Sequence, residues 1–192
     1  MATLTKEMLS DLHKGNASIS LLACPANGQV SFSTLDFSTA DQIFTTKDSF
    51  TINDADPTIT NIQIDQLNEI IDTDIEDGDY VINANIPSIA TAVLDYFYNA
   101  GVTVASMLGQ DGTTSYAGKG YLARKEVFVS ILVESASKNT AICFARVKCV
   151  VNRPSRDDNS NPAYLKFAGY INANLKSNEG NFAVLKANAI AA

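Results

Sequence analysis

Apolar and polar residues alternate along several segments of the chain, a pattern typical of β-strands with one buried face. Apolar side chains occupy every second position from Tyr80 to Ile86 and from Val127 to Val133. Two further strands are predicted over residues 141–151 and 164–175. Strands of ten or more residues exceed the usual strand length of about five or six residues. The pattern therefore predicts a sheet that extends beyond one compact sandwich.

One helix is predicted, over residues 88–99. Ser88 is the expected N-cap, apolar side chains then recur on a single stripe, and Gly101 follows as the residue that tolerates a left-handed conformation at the end. A helix this short is marginal by itself, so its stripe is expected to lie on the sheet.

A β-hairpin is predicted over residues 17–35. The dipeptide Asn27-Gly28 accommodates the positive φ angles of a hairpin turn, and apolar residues flank it on both sides.

The strands over 127–133 and 141–151 form a second predicted hairpin, with two largely apolar faces. In its second strand, strict alternation places Cys143, Ala145, Val147 and Cys149 opposite Ile142, Phe144, Arg146, Lys148 and Val150. Either the helix or another subunit covers the second face, which also carries Phe128 and Leu132. We favour the helix because a domain normally covers its own sheet.

The chain is polar and acidic from Phe37 to Asp79, which predicts one or two strands joined by long loops. A calcium loop needs glycine at its sixth position and glutamate at its twelfth. Counted from Asp72, those positions hold Asp77 and Asn83. We therefore expect the run from Asp72 to Asp79 to be a long acidic loop that contacts another subunit and binds no metal.

The sequence contains no complete catalytic or cofactor-binding motif. The stretch from Gly109 to Gly120 does not fit the spacing of a phosphate-binding loop and is predicted to be a flexible loop ahead of a strand. His13 is the single histidine, GxSxG does not occur, and the single SxxK, from Ser135 to Lys138, lies in the turn predicted between two strands. We predict no catalytic residue, no cofactor and no enzyme activity.

Length and composition favour one domain over residues 1–192, since 192 residues with 46 % hydrophobic content can bury a core. Residues 1–15 are expected to be a short helix or a mobile arm. The three cysteines show no paired spacing and are expected to be reduced core residues. No segment resembles a membrane span or a signal peptide, so we expect synthesis in the cytoplasm. The predicted fold is mainly β, a β-sandwich or barrel with one flanking helix and a long acidic loop.

Charge is distributed unevenly along the chain. Residues 1–100 contain 15 acidic and 3 basic side chains, whereas residues 101–192 contain 6 acidic and 11 basic ones. These are either two separately solvated surfaces, or an acidic face of one copy that meets a basic face of the next. The second reading gives a hypothetical inter-subunit interface formed by Asp72, Asp74, Glu76, Asp77, Arg153 and Arg156. No run of basic residues is interleaved with aromatic ones, which disfavours specific nucleic-acid binding.

The order of predicted elements resembles that of a major tail tube protein of a tailed bacteriophage. The resemblance is carried by Pro57 to Asp65, Asp77 to Tyr98, the long hairpin, and Tyr164 to Leu175, and it covers roughly residues 17–185. It implies a β-sandwich or barrel that forms six-fold rings, which stack into a tube for genome ejection. It also implies a location in the virion tail and contacts with the tape-measure and tail-terminator proteins. DNA would be a partner only in transit.

Two alternatives come from other classes of protein. A β-sandwich binding module, such as an accessory virion protein, would stay monomeric. An enzyme of unrecognised type would show a deep pocket with a titratable group of perturbed pKa.

Overall fold

A computed structural model describes residues 16–45, 49–64, 69–76, 78–87, 91–154 and 164–187. The part of the chain that it describes is mainly β, with large antiparallel sheets, so the predicted mainly β fold is confirmed. The strands are β1 (Asn16–Ala23), β2 (Asp41–Ile43), β3 (Thr51–Asp54), β4 (Thr58–Ile64), β5 (Glu69–Glu76), β6 (Tyr80–Ile86), β7 (Tyr98–Leu108), β8 (Ser115–Arg124), β9 (Val127–Ser135), β10 (Thr140–Val151), β11 (Leu165–Ile171) and β12 (Phe182–Lys186). The helix α1 spans Thr91–Phe97. No helix in the described ranges is long and apolar enough to cross a membrane.

Eight strands form one antiparallel sheet in the order β2-β1-β9-β10-β11-β6-β3, with β12 added beside β10. The twelve-residue strand β10 is the centre of this arrangement. Residues 140–144 of β10 pair with β12, and residues 147–151 pair with β11. The remaining four strands form two separate hairpins, β4–β5 and β7–β8.

A β-bulge in β10 changes which of its residues face the core. The register with β9 shifts between Phe144 and Val147. Phe144 lies opposite Ile131 before the bulge and Val147 lies opposite Val129 after it, so both point to the same face. The predicted separation of Phe144 from Val147 is therefore wrong, because a bulge inserts one extra residue into the alternation.

The core lies between the two halves of the sheet and under α1. Ile131, Phe144 and Leu165 are fully buried within it, and the ring of Phe97 from α1 packs 6.1 Å from that of Phe167. The core also includes Ile19, Leu21, Ile82, Ala84, Ile86, Leu94, Tyr98, Val129, Val133, Val147, Cys149 and Val151. The helix thus covers the face that carries Val129, Ile131 and Val133.

The opposite face of β9 and β10 is partly covered by loops of the same chain. The thiol of Cys24 lies 3.7 Å from the hydroxyl of Ser130. Beyond it, the backbone of Leu175 donates a hydrogen bond to the carbonyl of Gly28, which is packed against Arg146. The prediction that the helix covers this second face is therefore wrong.

The predicted hairpin over residues 17–35 is also wrong, although its turn exists. Gly28 has a φ of +68° and its N–H donates to the carbonyl of Pro25. The chain then forms short 3-10 turns at Phe32–Thr34 and Phe37–Thr39 instead of a returning strand. β1 pairs instead with β2 and β9, which bury Ile19 and Leu21 on both sides.

The helix is shorter at its C-terminal end than the predicted 88–99. It ends at Phe97, and Gly101 lies inside β7 rather than in a helix cap. Residues 88–90, which include the predicted N-cap Ser88, and residues 1–15 lie outside the described residues.

Candidate functional site

The β7–β8 hairpin combines long strands that pair with no other described strand and several exposed apolar side chains. Its two strands have eleven and ten residues and bond to each other alone among the described strands. Each strand therefore has one free edge of backbone N–H and C=O groups, and such an edge is a ready template for another strand.

Large apolar side chains are exposed along this hairpin, whereas monomeric proteins normally hide contiguous apolar surface. The exposed fractions are 70 % for Val102, 60 % for Met107, 67 % for Leu108, 55 % for Tyr116 and 66 % for Leu122. Met107 and Tyr116 are directly opposite each other in the register, so their side chains share one face.

The root of the hairpin is fixed to the body by buried and half-buried contacts. The hydroxyl of Tyr98 donates to the carbonyl of Val151 at 2.8 Å, and its ring packs 6.1 Å from that of Tyr121. Arg124 Nε donates to the same carbonyl at 3.0 Å. Side-chain contacts from both strands thus fix the base of the hairpin to the body.

An ion pair fastens β8 to the helix. Lys119 Nζ lies 2.6 Å from Asp95 Oδ2, and Lys125 Nζ donates to the backbone carbonyl of Asp95 at 2.6 Å. The hydrogen bond from Lys119 holds the pKa of Asp95 below its usual 3.8, and the same bond raises the pKa of Lys119 above 10.5.

We expect this ion pair to make hairpin stability depend on pH. Since the folded-state pKa of Asp95 is lowered, its contribution is present above the usual value of 3.8 and is lost as the pH falls below it. Asp95→Asn should therefore lower the amide-exchange protection of β8 at neutral pH, and the difference from wild type should shrink under acid conditions. Glu179→Gln, which removes a carboxylate paired with Lys176, is the matched control and should leave β8 unchanged. Equal protection in Asp95→Asn and wild type at neutral pH would contradict this role.

The β7–β8 hairpin was not predicted from the sequence, since residues 109–120 were expected to be a flexible loop. Asp111-Gly112 forms its turn, with a φ of +66° at Gly112. The hydroxyl of Thr114 donates a hydrogen bond to the carboxylate of Asp111, as do the N–H groups of Thr114 and Thr113, and these bonds lower the pKa of Asp111. The dipeptide Asp-Gly is a hairpin signal of the same kind as Asn27-Gly28 and could have revealed the turn.

The predicted acidic loop is a strand over most of its length. Asp72, Asp74 and Glu76 belong to β5 and lie opposite Ile62, Thr60 and Thr58 of β4 in the register. The loop prediction is therefore wrong from Asp72 to Glu76. Alternate positions of an extended strand share one face, so the backbone places these three acidic residues in one row. Asp77 lies outside the described residues.

Of the two predicted basic residues, Arg153 is described and Arg156 is not. Arg153 lines a surface depression of about 340 Å³ at the root of the β7–β8 hairpin, together with Tyr98, Leu122, Ala123 and Arg124. Arg124 and Arg153 are exposed. Three ion pairs join described side chains, Lys119–Asp95, Lys148–Glu126 and Lys176–Glu179, and neither arginine takes part in them. Arg124 and Arg153 line the same depression, although they are far apart in the sequence.

A larger cleft of about 580 Å³ lies between the root of β4–β5 and β12. Asp54, Asp79, Tyr80 and Phe182 are among its lining residues. Burial raises the pKa of Tyr80, and the nearby charge of Asp54 raises it further. A tyrosine held in its protonated form donates hydrogen bonds but is a poor base.

The cysteines are free thiols, and Cys143 and Cys149 are buried, as predicted for core residues. Burial raises the pKa of Cys143 to about 12, so its thiol stays protonated and unreactive at neutral pH. Within the described ranges, no group of three or more His, Cys, Asp or Glu side chains is arranged to hold a metal ion.

No protein-family model matches the sequence, and no curated protein matches it.

Proposed function

We propose that this chain is a structural subunit that assembles with copies of itself into rings and that the rings stack into a phage tail tube. The observation that supports it is the β7–β8 hairpin, a rigidly rooted pair of long strands with free edges and exposed apolar side chains. A neighbouring copy that added a strand to either edge would satisfy both features.

Burial of the exposed apolar side chains and pairing of the free strand edges are the two contributions that offset the cost of association. Hiding a whole Val, Leu or Met side chain stabilises by about 1.5–3 kcal/mol. The five exposed apolar residues of the hairpin are on average about two-thirds exposed, so hiding them contributes roughly 5–9 kcal/mol per subunit. Association costs about 4–15 kcal/mol in lost freedom. Each strand-edge hydrogen bond would add about 0.5–1.5 kcal/mol to the stability of the assembled form.

The tube itself rests on the resemblance together with this geometry. A mainly β body with one flanking helix and projecting hairpins suits six-fold rings whose strands join between subunits. In that role the protein is located in the virion tail, contacts the tape-measure and tail-terminator proteins, and passes DNA without binding it specifically. The overall charge of −7 suits a conduit from which DNA must be released.

We expect the purified chain to form rings or tubes as its concentration rises. Sedimentation velocity across a concentration series, with negative-stain microscopy of the same samples, measures this directly. Species much larger than a monomer with an annular or tubular outline support the proposal. A strict monomer at all concentrations, which also fails to grow from a tail-tip nucleus, would favour the monomeric accessory protein instead.

A further inference from the structure

The depression at the root of the β7–β8 hairpin has a positive charge that nothing described on the same chain neutralises. Arg124 donates through Nε to the carbonyl of Val151 and through Nη2 to Asn152 Oδ1, each at 3.0 Å. Both acceptors are neutral. The guanidinium is therefore held in place with donors to spare, which lowers the entropy cost of binding a carboxylate.

A second arginine and an apolar wall complete this depression. Arg153 lies on its rim, and Leu122, 66 % exposed, lines it. Planar guanidinium groups bind carboxylates through paired hydrogen bonds, so two arginines beside an apolar side chain suit an acidic segment that also carries an apolar residue.

The chain contains one segment with that chemistry. Residues 51–80 carry nine acidic residues and no basic one, and they include both strands of the β4–β5 hairpin. The row Asp72, Asp74 and Glu76 lies opposite uncharged positions of β4, so no cation is placed directly across from it. Ile62 of β4 lies opposite Asp72 in the register, so the face that carries the acidic row also carries an apolar residue.

We propose that the depression formed by Tyr98, Leu122, Ala123, Arg124 and Arg153 binds the acidic β4–β5 hairpin of a second copy of this chain. The contact is head-to-tail, because the hairpin and the depression are different surfaces, and it therefore propagates from copy to copy. It rests on the proposed function and specifies a contact between successive subunits. Exposed charge pairs set register and association rate more than affinity, so the contact orients the next copy.

A charge-swap experiment tests this contact. One variant, Arg124→Glu with Arg153→Glu, has an acidic depression facing an acidic hairpin. The other, Asp72→Lys with Asp74→Lys and Glu76→Lys, has a basic hairpin facing a basic depression. Each should repel itself, whereas an equimolar mixture restores opposite charges at every contact of an assembly in which the two variants alternate. The control is Lys138→Glu with Lys166→Glu, which changes the net charge as much as the arginine variant does, at exposed positions elsewhere.

Light scattering and sedimentation at several salt concentrations give the readout, with circular dichroism to verify that each variant is folded. We expect each swapped variant to assemble at least about tenfold less readily than wild type and the mixture to recover assembly, while the control resembles wild type. If the variants assemble normally, or if their mixture is no better than either alone, the contact is wrong even though tubes form. If wild type never assembles, the proposed function fails as well.

Discussion

Removing the outer part of the β7–β8 hairpin should abolish assembly and leave the folded body intact. Thr103 and Lys119 are directly opposite each other in the register, so residues 104–118 can be replaced by Asn-Gly, which closes a two-residue hairpin turn. This deletion removes Met107, Leu108 and Tyr116 and much of both free edges. It retains the ion pair of Lys119 with Asp95 at the root.

The deleted side chains contribute nothing to the core, so the melting temperature should stay within a few degrees of the wild-type value. Sedimentation velocity should show a monomer at concentrations where wild type forms large species. The control variant Ser106→Ala with Ser115→Ala removes an exposed hydroxyl pair but keeps the strand edges, and it should assemble normally. Normal assembly of the shortened chain would show that the hairpin is not the assembly element.

Phe144→Ala should cause the largest loss of stability among single core substitutions, about 3–5 kcal/mol in the free energy of unfolding. Phe144 is fully buried, and its ring packs edge-on against Tyr80 at 5.6 Å between centroids. Alanine would leave a cavity beside the bulge in β10, where the two parts of the sheet meet.

The chain provides a matched control for that substitution. Phe182 lies directly opposite Phe144 and contacts the same tyrosine at 6.2 Å, but it is 51 % exposed. Phe182→Ala should therefore cost only about 1 kcal/mol, since the site stays open to water. Urea denaturation at concentrations where the chain is monomeric separates the two values. Equal losses would contradict the assignment of Phe144 to the core.

Local patterns predicted the strands that the alternation of apolar and polar residues defines by itself. The alternation from Val127 to Val133 and from Tyr80 to Ile86 gives the strands β9 and β6, because one buried face imposes a period of two. The turn between β9 and β10 follows from the polar residues that separate them. These features depend on residues a few positions apart.

The predictions that were wrong concern features that tertiary contacts determine. Asn27-Gly28 turns the chain, but β1 pairs with β2 and β9, and its apolar residues Ile19 and Leu21 are buried there. In the sequence Tyr98 continues the apolar stripe of the predicted helix. In the structure it is the first residue of β7, where its hydroxyl donates a hydrogen bond to the carbonyl of Val151. The bulge in β10 cannot be read from alternation, because it is defined by the register with a partner strand.

For the same reason, only part of the candidate interface could be predicted from the sequence. The acidic residues occupy alternate positions of β5, so their clustering was visible in the sequence, although their strand conformation was not. Arg124 and Arg153 are 29 positions apart, and only the return of the chain through β9 and β10 brings both to one depression.

Electron cryomicroscopy of the assembled protein tests the central claim most directly. The account predicts a hollow tube of stacked rings in which the strands of the β7–β8 hairpin form hydrogen bonds with strands of the neighbouring subunit in one continuous sheet. Met107, Leu108 and Tyr116 should be buried at that contact. A tube in which this hairpin projects freely into solvent, with its edges unpaired and its apolar side chains exposed, would contradict the account.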